Sequence, residues 1–229
     1  MRERQPHDLE GASILLAGAT GALGSEIGRQ LVKAGARLTL FARDEAKLAQ
    51  VDLPGPRVVG DIADVDACTD AVWEAVTRYG RIDGVVNATG VVAFGPLADL
   101  TDETIDELVT TNLIGPVRLM RTVLPEIENG GFLANLSAIV GERPTAGMAL
   151  YSATKAALSA VDTALARELR ARKIDVIDLR PPHTETGLAN RPVAGAPPRL
   201  PQGKAPDAVA ARVVEAIRNR ERTVPADAF

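Results

Sequence analysis

The sequence predicts an α/β fold: a doubly wound, mostly parallel sheet of six to seven strands with helices on both faces. Short apolar runs alternate with longer helical patterns along the chain, at the spacing of right-handed strand–helix–strand units. Aromatic residues make up only 3% of the 229 residues, so Ala, Val, Leu and Ile must fill the core. Such a core is typical of parallel strands buried under helices. We expect one domain, residues 1–229.

The individual elements follow from this alternation. Apolar runs predict six strands, in chain order Ser13–Ala17, Arg37–Phe41, Arg57–Val59, Asp83–Asn87, Phe132–Leu136 and Asp175–Leu179. Helical periodicity predicts the helices Leu23–Ala34, Val65–Tyr79, Asp102–Leu124, Ala149–Arg172 and Pro206–Arg218. The segment 181–206 is rich in Pro, Gly and Ala and is long for a plain connection. Because it follows a strand's carboxyl end, where such sheets bind ligands, we expect a lid; a disordered linker is the alternative.

Composition argues against several classes of function. A net charge of −4 and a pI near 5.3 disfavour nucleic acid or an anionic membrane as the main partner. Cys68 is the only cysteine, and His7 and His183 lie far apart, so we expect neither a disulfide nor a metal site. No apolar run reaches membrane-spanning length, and the first residues lack a signal peptide's apolar region. We therefore expect a cytoplasmic protein without a membrane partner.

A glycine-rich turn, Gly18-Ala-Thr-Gly21-Ala-Leu-Gly24, follows the first strand and opens into the first helix. In this context Gly18 permits the sharp turn, Gly21 lets the backbone approach a ligand, and Gly24 allows close helix packing. A pyrophosphate would then bind backbone amides at the positive end of the helix. The turn predicts dinucleotide binding rather than an ordinary tight turn.

The residues after the second strand predict which dinucleotide binds. Ala42 offers no carboxylate to the ribose 2′-hydroxyl of NAD, whereas the fork of Arg43 suits the 2′-phosphate of NADP. Asp44 and Glu45 look like the first turn of another helix, where acids favour the dipole. We expect NADP(H) to be preferred over NAD(H); an arginine that is merely solvated is the alternative.

Tyr151 and Lys155 lie four residues apart on a predicted helix, and therefore on one face. A tyrosine has a reference pKa of about 10 and is a poor acid or base near neutrality. The lysine's charge should lower that pKa. A phenol tuned this way can exchange a proton with a carbonyl or an alcohol as hydride moves at the adjoining carbon. An ordinary helix-surface pair is the alternative.

With these residues in view, the chain resembles the short-chain dehydrogenase/reductase family over nearly its whole length, which implies a Rossmann-type NAD(P)-binding domain. The turn is similar to the family's TGxxGxxG motif, with Ala17 replacing the threonine. The resemblance implies cofactor contacts from several positions: Gly18, Thr20, Gly21, Leu23, Gly24, Asp61, Ile62, Asn87, Gly90, Pro181 and Thr186. Among these, the Asp61-Ile62 pair would contact the adenine, and the stretch from Pro181 to Thr186 would flank the nicotinamide, with Pro182 in place of a glycine.

The resemblance also implies a catalytic set. Tyr151 matches the catalytic tyrosine, Lys155 the lysine that also holds the nicotinamide ribose, and Asn112 the asparagine that holds a proton-relay water. The family's catalytic serine is the point of departure, because a gap-free alignment from Asn135 to Gly141 places Ala138 there.

Two other hydroxyls are candidates to replace that serine. Successive strand residues point to opposite faces, so the neighbouring Ser137 substitutes only if the strand end is bent or bulged. We keep Ser137 as a candidate catalytic residue. Thr145, in the loop before Tyr151, could also supply a hydroxyl.

Two functions follow. The first is an NADP(H)-dependent oxidoreductase that interconverts a carbonyl and a secondary alcohol. The second is a nucleotide-binding protein of weak or no catalysis, acting as a redox sensor or a partner subunit. Retention of Tyr151, Lys155 and Asn112 together favours the first. The resemblance implies a homodimer or homotetramer, and the residues of the lid imply no substrate class.

Overall fold

A computed structural model describes residues 5–229 and confirms the doubly wound α/β fold. In this part of the chain seven strands form one sheet in the order β3-β2-β1-β4-β5-β6-β7, with every neighbouring pair parallel. The strands are β1 Ser13–Ala17, β2 Arg37–Ala42, β3 Arg57–Val59, β4 Ile82–Asn87, β5 Ile127–Leu136, β6 Asp175–Leu179 and β7 Thr223–Val224. The helices are α1 Ala22–Lys33, α2 Glu45–Gln50, α3 Val65–Tyr79, α4 Asp102–Val109, α5 Gly115–Val123, α6 Ile139–Glu142, α7 Ala149–Glu168 and α8 Pro206–Asn219.

Strand β1 lies between the two layers of the core. Its residues are all buried, and alternate side chains point to opposite faces of the sheet. Ile14 and Leu16 belong to the core on the side of α1 and α8, whereas Leu15 and Ala17 belong to the core on the side of α3, α5 and α7. Burial on both faces explains why the run is continuously apolar.

The predicted helix Asp102–Leu124 follows one helical path but is not one regular helix. Helix α4 ends at Val109, the residues Thr110–Ile114 form a π-helical turn, and α5 continues from there. Single π turns often lie at functional sites, and this one contains Asn112. In the part of the chain that the structure describes, no helix is long and apolar enough to cross a membrane.

The first turn that Asp44 and Glu45 predict is confirmed by α2, whereas two short elements, α6 and β7, are missing from the prediction because neither is long enough to show a hydrophobic period. Strand β5 also begins earlier than predicted. Its pairing with β4 shifts register between Ile82↔Ile127 and Gly84↔Phe132. The Phe132 ring packs on Gly84, where a Cβ would lie 2.2 Å from the ring. The polar and glycine residues that loop out between these pairs hide the first part of the strand in the sequence.

The segment 181–206 packs against the chain that follows β4. The Val193 amide donates to the Val92 carbonyl at 2.8 Å, and the Phe94 amide donates to the Ala194 carbonyl at 2.9 Å. Leu188 and Val193 pack on a small apolar cluster that contains Phe94 and Tyr151. The segment therefore packs near Tyr151, and its role as a lid stays a prediction.

Candidate active site

The glycine turn between β1 and α1 has the space and the free amides that an anion requires. Gly18 adopts a positive φ of 81°, and a Cβ there would lie 2.7 Å from the Ala88 backbone. A Cβ on Gly24 would lie 2.2 Å from the Gly18 carbonyl oxygen, so the helix can approach the strand only with glycine at this position. Helix α1 begins after Gly21, and no side chain of the described residues caps its first turn. These amides carry the partial positive charge that a phosphate prefers.

Arg43 lies beside this turn, at the end of β2. The amides of Gly18 and Ala19 both donate to the Phe41 carbonyl, two residues before Arg43, at 2.9 and 3.4 Å. Arg43 is exposed, and within residues 5–229 it forms no hydrogen bond or ion pair. The next carboxylate is already occupied: Asp44 caps α2 by accepting from the Lys47 amide at 3.0 Å, and it pairs with the Lys47 ammonium at 2.8 Å.

Asp61 and Ile62 follow the carboxyl end of β3, as Arg43 follows the carboxyl end of the neighbouring strand β2. Asp61 is exposed and accepts a hydrogen bond from the Ala63 amide at 2.8 Å. Ile62 is buried against α5, where a Cβ on Gly115 would lie 2.6 Å from its Cγ2 atom. The aspartate is thus open to a ligand, while the isoleucine anchors the loop.

A chain of buried hydrogen bonds crosses from β4 to α7. The Thr89 hydroxyl donates to Asn87 Oδ1 at 2.6 Å, and Asn87 Nδ2 donates to Asn135 Oδ1 at 3.2 Å. Asn135 Nδ2 in turn donates to Asp162 Oδ1 at 2.6 Å. Burial, and after it the charge of Asp178, raise the pKa of Asp162 to about 8. The strand ends β4 and β5 are therefore locked to α7 by polar side chains.

Tyr151 and Lys155 are buried together on α7, with 8% and 3% of their surfaces exposed. Lys155 Nζ donates to the Leu136 carbonyl at 2.9 Å and lies 5.9 Å from the centre of the Tyr151 ring. Burial raises the pKa of Tyr151 to about 12 and lowers the pKa of Lys155 to about 8. The expected lowering of the tyrosine pKa is therefore wrong for this structure, because the loss of solvent around the phenol outweighs the lysine's charge.

Gly90 is the point where the chain after β4 meets this pair. A Cβ on Gly90 would lie 3.3 Å from both Asn112 Oδ1 and Lys155 Nζ. The Asn112 amide is fully buried and holds the chain at Val91: Oδ1 accepts from the Val91 amide and Nδ2 donates to the Val91 carbonyl, each at 2.9 Å. Nδ2 also lies 3.3 Å from the Thr154 hydroxyl. The structure thus gives Asn112 a positioning contact, and its proton-relay role stays a prediction.

The end of β5 carries the position where the sequence departs from the family pattern. The β5–β6 pairing runs without a shift to Leu136↔Leu179, so the strand is not bulged where Ser137 follows it. The Ser137 hydroxyl lies 2.5 Å from Asp178 Oδ1 and 3.0 Å from the Leu179 carbonyl, and it therefore faces β6. Ala138 is extended and buried at the start of α6. The Thr145 hydroxyl is exposed and donates to the Arg143 carbonyl at 3.2 Å.

The segment 181–206 begins at the end of the neighbouring strand, β6. Pro181 is buried, and its carbonyl accepts from the Ile139 amide at 3.1 Å. Thr186 is half-buried; its hydroxyl accepts from the Leu188 amide at 3.3 Å. A small pocket opens beside Tyr151, lined almost wholly by apolar residues and glycines: Ala93, Gly95, Leu97, Leu100, Leu108, Gly147, Met148, Ala149, Leu150 and Tyr151.

Sequence reasoning missed the acidic and basic groups around Lys155. Asp162 and Asp178 are 2% and 3% exposed, and Arg180 bridges Asp178 Oδ2 at 2.7 Å and Glu142 Oε1 at 3.1 Å. The available signal is an ionisable residue on a face that the pattern predicts to be buried, as in the β6 run Asp-Val-Ile-Asp-Leu. Buried ionisable groups near a cleft are candidate functional residues.

Comparison with known proteins gives a consistent picture. Residues 12–195 match the family model described as short chain dehydrogenase. An uncharacterized oxidoreductase of Staphylococcus epidermidis is 27% identical over 201 residues, which cover 85% of this chain and 87% of that protein. An L-xylulose reductase of Caenorhabditis elegans is 30% identical over 182 residues, covering 76% of this chain and 72% of that one. The crystal structure of a short chain dehydrogenase from Burkholderia cenocepacia in complex with NADP superposes with a TM-score of 0.84 at 26% identity, covering 97% and 98% of the two chains.

Proposed function

The chain belongs to the short-chain dehydrogenase family of NAD(P)-dependent oxidoreductases, and we propose that it interconverts a carbonyl and a secondary alcohol with NADP(H) as the preferred cofactor. One observation carries the proposal. The glycine turn approaches the backbone at Ala88, and Gly90, two residues later, approaches Lys155. A continuous stretch of chain therefore joins the predicted pyrophosphate site to the Tyr151–Lys155 pair.

The residues present fit a nicotinamide dinucleotide. A side chain at Gly18 or Gly24 would collide with backbone, and a Cβ at Gly90 would make tight contacts of 3.3 Å with Asn112 and Lys155, so glycine keeps the chain close at all three positions. The uncapped amides of α1 would hold the pyrophosphate, Asp61 would face the adenosine half, and Lys155 would face the nicotinamide half. When bound, the cofactor supplies or accepts the hydride.

Tyr151 is suited to give a proton to a carbonyl oxygen. The phenol is protonated at neutral pH, the form that a general acid needs, but burial raises its pKa to about 12 and so makes it a weaker acid in the absence of a stabilising charge. As the proton leaves, the ammonium of Lys155, one helical turn away, stabilises the phenolate that forms.

Ala138 favours a second candidate function. The alanine has no hydroxyl to bind the substrate oxygen, and removing one such donor costs about 2.7 to 4 kcal/mol of barrier. A chain with this loss binds its nucleotide normally but turns over slowly. The alternative is therefore a nucleotide-binding protein of weak or no catalysis that senses the redox ratio or serves a partner subunit.

Cofactor choice is tested by titrating NADPH and NADH by calorimetry. Because Arg43 is the free cation beside the turn and Asp44 is occupied by its cap, we expect NADPH to bind at least about 10-fold more tightly. Arg43→Asp should reverse the preference. Arg78→Asp is the matched control, since Arg78 is an exposed arginine near the end of α3, which leads into the amino end of β4, whereas Arg43 follows the carboxyl end of β2. Equal affinities in the parent protein would contradict the proposal.

The proposed homodimer or homotetramer is a separate question. The helices expected at the contact are α4, α5 and α7, and the exposed Ile114 lies in the π turn between the first two. Light scattering coupled to size-exclusion chromatography measures the mass directly. A monomer at micromolar concentration would contradict the association.

A further inference from the structure

We propose that Asp178 is the buried counter-charge that keeps Lys155 in its ammonium form, and that the Ser137 hydroxyl holds Asp178 in place. The role rests on the proposed function, in which Lys155 acts as an ammonium. It makes Asp178 a positioning residue that acts through Lys155. It also gives Ser137 a task other than contact with substrate.

The geometry at the end of β5 joins the two charges through adjacent residues. Lys155 Nζ donates to the carbonyl of Leu136 at 2.9 Å, and the next residue, Ser137, places its hydroxyl 2.5 Å from Asp178 Oδ1. On its other oxygen, Asp178 accepts from Arg180 Nε at 2.7 Å. Two such bonds stabilise an ionised carboxylate. A fixed negative charge therefore lies beside the carbonyl that binds the lysine.

The positive and negative charges around Lys155 are equal in number only when the carboxylate of Asp178 is included. Of the ionisable groups around Lys155, Tyr151 and Asp162 lie on the same helix, α7. Asp178 lies on β6, Arg180 on the chain after β6, and Glu142 on α6. His183, further along the lid, faces Glu185 at 3.6 Å instead. With Tyr151 and Asp162 protonated, the two cations Lys155 and Arg180 match the two carboxylates Asp178 and Glu142. An ammonium buried without such a match would lose its proton.

The directions of the pKa shifts agree with this balance. Burial lowers the pKa of Lys155, and the charge of Asp178 is the larger of the two carboxylate contributions that oppose the fall. The pKa of Asp162 is raised to about 8, so near neutrality this group is mostly uncharged. Asp178 is thus the carboxylate on which the ammonium depends.

The lysine can be observed directly, without turnover and without cofactor. The chain has five lysines, and Lys33, Lys47, Lys173 and Lys204 are exposed whereas Lys155 is buried. Protein labelled with 13C at the lysine ε-carbon therefore gives few signals, and Lys155→Arg identifies the one of interest. The pKa of Lys155 is then read from its chemical shift against pH, with the exposed lysines as internal controls.

Substitutions of the two members of the Asp178–Arg180 ion pair must move the pKa of Lys155 in opposite directions. Asp178→Asn removes a negative charge and should lower it by about 0.5 unit or more, whereas Arg180→Gln removes a positive charge and should raise it. Asp162→Asn, the matched buried carboxylate, should lower it by less than half as much as Asp178→Asn. A general loosening of the site cannot produce shifts of opposite sign.

Shifts of one sign, no shift, or a larger effect from Asp162→Asn would overturn the proposal. If Asp178→Asn does not fold, Arg180→Gln still tests it, because an unchanged or lowered Lys155 pKa there contradicts the counter-charge. The titration also separates the two proposals. Opposite shifts in a protein that reduces no carbonyl would leave the role of Asp178 intact and remove the proposed reaction.

Discussion

The glycine turn and the group of charges around Lys155 lie on either side of β4, and they are built from different chemistry. The turn consists of backbone amides and carbonyls, with no ionisable side chain between Gly18 and Gly24. Around Lys155, by contrast, Asp162 and Asp178 are buried with it, and Arg180 and Glu142 are partly so. The first region depends on shape and is insensitive to pH, whereas the second depends on which of its groups carry a proton. Binding and chemistry in this molecule should therefore respond differently to the same perturbation.

Tyr151→Phe should give the largest difference between the effect on turnover and the effect on NADPH affinity. Loss of the proton donor should reduce turnover by about 100-fold or more, while NADPH affinity stays within a few fold because the glycine turn is untouched. Lys155→Ala should damage both, since the lysine also lies on the predicted ribose side. Steady-state rates and calorimetric titrations measure the two effects.

The chain's only other tyrosine supplies the control for that experiment. Tyr79 donates its hydroxyl to the Leu38 carbonyl at 3.0 Å, in the half of the sheet away from Lys155. Tyr79→Phe should cost about 1 kcal/mol of stability and leave the rate unchanged. If Tyr151→Phe kept the activity of the parent protein, another group would have to be the proton donor.

A smaller gain is expected from restoring the missing hydroxyl. Ala138→Ser should raise kcat/KM by about 10-fold or more if the rest of the site is competent, because a donor to the substrate oxygen is regained. Ser137→Ala, next to it, should not abolish activity, since its hydroxyl faces Asp178. Comparison of kcat/KM for the two variants checks this. An inactive Ser137→Ala together with an unchanged Ala138→Ser would make Ser137 the working hydroxyl.

The smallest effect is on stability and follows from Asp162. Its folded pKa of about 8 lies above the unfolded value of about 4, so between these values the folded state holds a proton that the unfolded state lacks. This group therefore makes the protein less stable as pH rises from 5 to 8. Thermal unfolding of Asp162→Asn should show a flatter dependence of Tm across that window. Identical slopes in parent and variant would show that Asp162 is ionised in the folded state.

The two regions also differ in how far they could be predicted from sequence. The turn is contiguous, and its glycines mark close approaches, so a motif of a few residues is sufficient to locate it. The group around Lys155 draws residues from α6, α7 and β6, and its members meet only once the sheet is assembled. Asp178 stands in a run that otherwise predicts a buried strand, and the sequence gives no direct sign that Arg180 and Ser137 will be its partners. The hydrophobic periodicity likewise could not predict the π turn at Asn112, because one wider turn does not disturb the apolar spacing.

The central claim is that this chain transfers hydride between NADPH and a carbonyl. The direct measurement uses NADPH carrying deuterium at the transferred position, with a panel of aldehydes and ketones and mass spectrometry of the products. We expect an alcohol with one deuterium at the former carbonyl carbon, formed by the parent protein and lost in Tyr151→Phe. NADPH that binds tightly but labels no product across the panel, in the parent and in Ala138→Ser alike, would contradict the claim and leave the nucleotide-sensing function.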